Sequence, residues 1–191
     1  MPERMELGLP DKLELRDQGT GIEIVRKWFG WKVILATAFA VFWCGFLFMW
    51  YSLAFAFGSV FRGELTFAAL FPLIHVAVGV GLAYTALTGW VNRTRITVDQ
   101  GRISVRHGPL PWLGNKDLDG TTLKQLYSKE KITRGRNSTS VTYEVHALTT
   151  SGRNEKLLSS LETSEQALYI EQEIERYFRI EDAPVRGQIG D

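Results

Sequence analysis

VILATAFAVFWCGFLFMWYSLAFAF, Val33 to Phe57, decides how this chain is built. It contains no Asp, Glu, Lys or Arg, and a bilayer core is crossed by roughly 20 apolar residues in helical form. A second stretch of the same kind, LTFAALFPLIHVAVGVGLAYTALTGWV, runs from Leu65 to Val91. Only Gly58 to Glu64 lies between them. The pair reads as a transmembrane helical hairpin, with spans over 32–57 and 65–91. The first stretch is not expected to be a cleavable signal, whose apolar region is about 7–15 residues and lies close to the N-terminus.

Charge and aromatic placement orient the hairpin. Trp28 and Trp31 precede the first span among Arg26, Lys27 and Lys32, and Arg93, Arg95, Arg102 and Arg106 follow the second. The link carries one Arg and one Glu. Basic residues mark the cytoplasmic side and Trp the interfaces. The expected location is therefore the cell (inner) membrane, multi-pass, with both termini cytoplasmic. Trp50 and Tyr51 fit the far interface and Trp90 the near one. Pro72 removes the hydrogen bond to the Ala68 carbonyl and is a candidate kink.

Small residues recur four apart within the spans: Ala77, Gly81, Thr85 and Gly89 on the second, Ala36, Ala40 and Cys44 on the first. Such stripes let helices approach closely in lipid, either within the hairpin or towards a partner or second copy. His75 lies ten residues into the second span, about 15 Å along a helix, and so near the midplane. An ionisable group there is a functional candidate, for proton handling, haem ligation or a partner contact. The plainer reading is a neutral imidazole bonded to Trp43 or to the carbonyl that Pro72 releases. No second intramembrane His or carboxylate accompanies it, so no cofactor is expected.

Outside the hairpin the period changes. Residues 1–11 show no pattern and are expected to be disordered. Leu13 and Leu15, then Ile22 and Ile24, alternate with charge around Gln18-Gly-Thr-Gly21, which predicts a β-hairpin over 12–28. Two strands alone are marginal in water, so this hairpin is expected to join the later domain. From Arg93 strands are predicted over Thr94–Val98, Arg102–Arg106, within Leu123–Lys131, over Val141–Leu148 with Val141, Tyr143, Val145 and Ala147 on one face, and over Glu155–Leu161. Gly108 to Asn115 reads as a loop that holds Trp112 either in the head-group layer, against a partner, or under the sheet. Thr163-Ser-Glu-Gln166 is a capping box for a helix to about Arg179, ended by Ala183-Pro184. The domain spans 93–181, and 182–191 is expected to be a flexible tail.

Strands in a meander, closed by one amphipathic helix over Arg93–Phe178, resemble the bacterial pleckstrin-homology-like (PH-like) domains attached to membrane hairpins. Thr94-Arg-Ile-Thr-Val98 directly after a span, the Asp99-Gln-Gly101 turn and the terminal helix carry the resemblance. Arg106-His-Gly-Pro-Leu-Pro-Trp112 and Leu123-Lys-Gln-Leu-Tyr127 are similar to stretches of uncharacterised bacterial two-span proteins. The resemblance implies an α+β membrane protein: a two-helix transmembrane hairpin plus a PH-like antiparallel β-barrel or sheet capped by a C-terminal helix. It implies binding of lipids, peptides or proteins, and brings no catalytic motif. A seven-strand barrel would need the N-terminal hairpin for two of its strands.

Net charge over the whole chain is +1, but Arg93–Arg136 holds ten basic and four acidic residues, and Asn137–Asp191 five and ten. Anionic lipid attracts juxtamembrane basic residues, so Arg93, Arg95, Arg102 and Arg106 are head-group candidates; the alternative is ordinary topology and solvated strand faces. Lys129, Lys131, Arg134 and Arg136 cluster at a turn of the kind that, by the resemblance, can hold phosphate head groups; the alternative is a flexible polar loop. Glu165, Glu171, Glu173 and Glu175 read as an acidic helix face that points away from lipid on either reading. Cys44 is the single cysteine, which excludes an internal disulfide and a cysteine zinc site. Gly79-Val-Gly81 lies inside a span and is packing, and no Ser/His/Asp arrangement supports an enzyme. The expected function is a non-enzymatic scaffold, assembly factor or accessory subunit. Its expected partners are membrane lipids and a membrane protein or second copy, with no nucleic acid. An anionic-lipid-sensing module is the alternative, and an oligomeric small transporter or channel comes third.

Overall fold

The structure, a computed structural model, describes residues 7–56, 65–136, 138–181, 183–185 and 187–189, with 65–71 as backbone only. The link Gly58–Glu64, with its Arg and Glu, lies outside the described residues, as do the ends of both tails.

The chain divides into two compact units, Trp28–Asn92 and a second made from residues 1–27 with 93–191. The first holds α1 (Trp31–Ala56) and α2 (Leu65–Val91). Both are long and apolar enough to cross a membrane. Their side chains face outward: in the most apolar 18-residue windows only 11% and 22% of residues are buried. A core helix of a water-soluble protein would be mostly covered. α2 continues through Pro72.

The second unit is α+β. Strands β1 (Leu13–Asp17), β2 (Gly21–Lys27), β3 (Arg93–Asp99), β4 (Arg102–Gly108) and β5 (Lys116–Asp119) form one antiparallel sheet in that order. β6 (Leu123–Arg134), β7 (Thr139–Thr149) and β8 (Asn154–Leu161) form another. Period-two patterning follows from one buried face per sheet. Ile24, Ile96, Val98, Ile103, Val105 and Leu118 fill one side of the core, and Leu126, Val145, Ala147, Leu158 and Leu161 the other. Ala167, Ile170 and Ile174 of α3 (Ser164–Phe178) complete it, with α3 lying chiefly on β6 and β7.

The N-terminal hairpin is part of the first sheet, since β2 pairs with β3 from Gly21↔Asp99 to Lys27↔Arg93. The chain therefore leaves this unit and returns to it on adjacent strands. The closed-barrel form of the expectation is corrected: among the described residues eight strands form two sheets, and β5 and β8 are edges that do not pair with each other. β5 is only four residues long before the 3-10 turn at Gly120–Thr122 redirects the chain. At this seam the Lys116 ammonium donates to the Lys156 carbonyl, where a strand N–H would otherwise serve.

The Thr163 hydroxyl caps α3, accepting from the Gln166 N–H at 3.2 Å. The reciprocal bond goes one residue earlier than a capping box requires, because the Gln166 amide oxygen accepts from Glu162 N–H. The helix ends before Ala183-Pro184, at Arg179 in the left-handed conformation. The described part of the tail is held rather than loose. Gln125 Nε2 donates to the Ala183 carbonyl, Ile189 N–H to Ser128 O at 2.9 Å, and Ile180 and Ile189 pack on the core. Near the N-terminus Leu7 also packs on the core, and Gln166 Nε2 donates to Asp11 O at 3.0 Å.

Candidate functional site

Alternation along β3 and β4 sorts the four strand arginines onto one face. Thr94, Ile96 and Val98 are buried, whereas Arg93 and Arg95 are exposed. On β4, Ile103 and Val105 point inward and Arg102 and Arg106 outward. Register places Arg95 opposite Arg106, a like-charge pair that alone would be unfavourable. Asp117 on β5 relieves it, accepting from Arg106 Nη2 at 2.6 Å and lying 3.7 Å from Arg102. The Arg106 hydrogen bond, helped by one from Ser104, holds the Asp117 carboxyl below its usual range. Arg93 and Arg95 have no acidic partner within 4 Å among the described residues. The four arginines thus divide into two that are paired and two that are open.

The second basic cluster sits on an arm. β6 and β7 stay paired as far as Arg134↔Thr139, while β8 accompanies β7 only from Tyr143 onward. Every described residue from Lys129 to Val141 is exposed. Lys129 and Lys131 lie on one face, Ile132 is paired with Val141 on the other, and Arg134 and Arg136 are at the tip. Lys131 is drawn back to the root of the arm by Glu144.

That root is a polar network the sequence reading did not pick out. Glu144, 7% exposed, accepts from Lys131 Nζ at 3.1 Å and Lys156 Nζ at 3.4 Å, and lies 3.1 Å from His146 Nε2. His146 Nδ1 meets Asn154 at 3.1 Å and its ring stacks on Tyr127 at 5.3 Å, while Asn154 Nδ2 donates to the Tyr127 hydroxyl at 2.5 Å. The only signal in the sequence is the two-residue step from Glu144 to His146, which on a strand puts both on one face. Burial raises the Glu144 carboxyl, but the bonds from His146 and Lys131 and the charge of Lys156 outweigh it, so its pKa falls below the ordinary 4.5. A depressed carboxylate stabilises the fold above its unfolded pKa and loses that contribution as pH falls through the folded value. The full chain in detergent is therefore expected to unfold more easily as Glu144→Gln near neutral pH, with the difference shrinking as pH falls below the ordinary carboxylate range and vanishing once it has passed the lowered folded pKa of Glu144. Parallel stability curves across the acid range would refute this.

At the hairpin end of the first sheet lies a smaller polar group. Arg26 donates to Ser160 O at 2.6 Å, and burial lowers its pKa. Thr94 Oγ1 and His107 Nδ1 are 2.9 Å apart. Burial lowers the His107 imidazole and the Arg26 charge adds to this, against a backbone bond to Gly114.

Within the hairpin, two small residues of α2 meet α1. A Cβ on Gly89 would lie 2.8 Å from the Val33 methyls, and one on Gly79 3.2 Å from Trp43 and Leu47. Ala40, Leu47 and Ala86 are buried. Trp90 Nε1 donates to Thr37 Oγ1 at 2.8 Å, and Phe29 packs 4.6 Å from the Trp90 ring. The Trp43–His75 pairing is present, but the Trp43 indole N–H donates to the main-chain carbonyl of His75 at 2.9 Å, with the two rings stacked at 5.7 Å. The stripe on α2 divides: Gly89 faces α1, while Ala77, Gly81 and Thr85 are exposed, and a Cβ on Gly81 would meet nothing within 4 Å. On α1, Ala40 is buried and Cys44 exposed.

The α3 carboxylates do not share one exposed face. Glu165 is exposed, but Glu171, Glu173 and Glu175 are buried at 2%, 8% and 0% exposure. Glu175 Oε1 accepts the Leu126 main-chain N–H at 3.0 Å, and Glu173 takes Arg176 at 2.6 Å. These carboxylates serve the fold. Among the described residues no three His, Cys, Asp or Glu side chains are placed to hold a metal ion. No family model matches the chain, and the search of curated proteins finds no match to it.

Proposed function

We propose that the chain is a non-enzymatic integral membrane protein, a scaffold, assembly factor or accessory subunit of a membrane protein complex. In this reading the hairpin spans the cell (inner) membrane, and a PH-like domain stands on the cytoplasmic side with both termini. The pairing of Lys27 with Arg93 carries it. The chain departs and returns on neighbouring strands, which supports two apolar helices that begin and end on one side of whatever they cross. Their outward apolar side chains support lipid as that medium. The meander with its closing helix supports the PH-like reading. The exposed Ala77, Gly81 and Thr85 give the hairpin a flat face suited to another helix.

Two substitutions separate internal packing from partner binding. Gly89→Ile drives a branched side chain into Val33 and is expected to loosen the hairpin, shown by faster proteolysis of the full chain in detergent. Gly81→Ile meets open space and is expected to leave proteolysis unchanged. It should still strip the partner, or the second copy, that co-purifies from native membranes with the wild-type chain. A wild-type chain that purifies alone and as a monomer would defeat the accessory reading.

A further inference from the structure

The loop between β4 and β5 combines an unusual degree of apolar exposure with a fixed position on the chain. Leu113 is 91% exposed and Trp112, beside it, 39%. The base of the loop is tied down. Asn115 Oδ1 accepts the His107 main-chain N–H at 2.8 Å. Gly114, at φ 106°, lies so close to His107 that a Cβ would fall 3.1 Å from its Nε2. Between these ties and Gly108, Pro109 and Pro111 limit the backbone further. The loop presents its apolar tip from a rigid base, and the ordering entropy is already spent before anything binds.

Covalent connection limits how far the tip can lie from the end of α2. Gly108, where the loop begins, is the cross-strand partner of Arg93, and paired residues lie about 5 Å apart. Arg93 is two residues after the last residue of α2. If α2 spans the bilayer, the Arg93–Gly108 pair stands at the head-group level. Five residues from Gly108 reach at most about 18 Å, so the tip is confined to the neighbourhood of that layer. Arg93, paired in the sheet with Gly108 where the loop begins, and Arg95, both exposed, supply the positive charge that anionic head groups attract, while Lys27 is held by Glu14 at 2.5 Å.

We infer that the β4–β5 loop is an interfacial anchor which seats Leu113 and Trp112 in the head-group and upper acyl layer of the bilayer that the chain's own spans occupy. The inference rests on the membrane reading above. Its consequence is a third attachment to the membrane, beside the two span ends.

Spin-labelled lipids in nanodiscs test it with the full chain. Cys44 is changed to Ala, and a fluorophore is attached at Leu113→Cys or at Gln18→Cys. Gln18 lies in the β1–β2 turn at the opposite end of the sheet, about 20 Å along β2 from Lys27. Lipids carrying the quencher near the head group are expected to quench the Leu113 position several-fold more than the Gln18 position. Equal, weak quenching at both would overturn the anchor. A label on native Cys44 in α1, quenched by deep-labelled lipid, reports on the spans separately. If Cys44 is quenched and Leu113 is not, the anchor alone fails; if Cys44 is not quenched, the membrane reading fails and takes the anchor with it.

Discussion

Glu175→Ala is expected to destabilise the folded domain by about 3 kcal/mol, since a buried N–H loses its acceptor and a cavity opens beside it. Glu175 is fully buried, and its Oε1 takes the Leu126 N–H at 3.0 Å. Leu126 is itself fully buried and follows the irregular pairing between Leu123 and Gln125. Water has no access to take over that donor. Glu175→Gln keeps an oxygen acceptor at nearly the same volume and should cost about 1 kcal/mol or less. Hydrogen exchange of the full chain in detergent would show Leu126 exchanging about 100-fold faster in the Ala variant and little changed in the Gln variant. Equal losses in the two would mean that the charge, not the acceptor, matters.

Gly120→Ala is expected to cost a further 2–3 kcal/mol by overpacking, roughly the upper end for one added methyl. The Gly120 N–H donates to the Gly101 carbonyl, which fixes the backbone on that side. A Cβ would then sit 2.7 Å from the same carbonyl and overlap the edge of the Phe178 ring, with Cε1 at 2.7 Å. Neither neighbour is free to move, since one is main chain and the other ends α3. Phe178→Leu shortens the obstructing side chain and should recover part of the loss, because the clash with Gly101 remains. A double-mutant cycle on unfolding midpoints checks this; strict additivity would show that Phe178 is not the obstacle.

What could be read from the residues alone was the short-range part. Charge-free runs of span length, the alternation of Leu13, Leu15, Ile22 and Ile24, and the Thr163 cap each depend on neighbours within a few positions, and α1, α2, β1, β2 and the start of α3 follow from them. β5 escaped because Lys116-Asp-Leu-Asp119 has one apolar residue, and its strand state comes from β4 beside it. Glu171 and Glu175 look solvated because they are charged and one helical turn apart. They border the Ile170–Ile174 stripe, and the Leu126 N–H that Glu175 serves is 49 positions away. The stripe on α2 was legible as a stripe, but which of its members face α1 was not. Helical spacing gives a face without saying where the other helix lies. Glu144 is in the same position, since its two lysines arrive from different strands.

The shared sheet of β2 and β3 also imposes a schedule on synthesis. Residues up to Lys27 leave the ribosome first, yet their partner strand lies beyond the whole of Trp28–Asn92. At about 5–20 residues per second, several seconds pass with Ile22, Ile24 and Val25 translated and their sheet neighbour not yet made. During that interval both apolar helices must be delivered to their medium. An early β-strand with an open edge invites wrong pairing. The charges that alternate with apolar residues along this segment, Glu14, Arg16 and Glu23, disfavour such pairing in that interval.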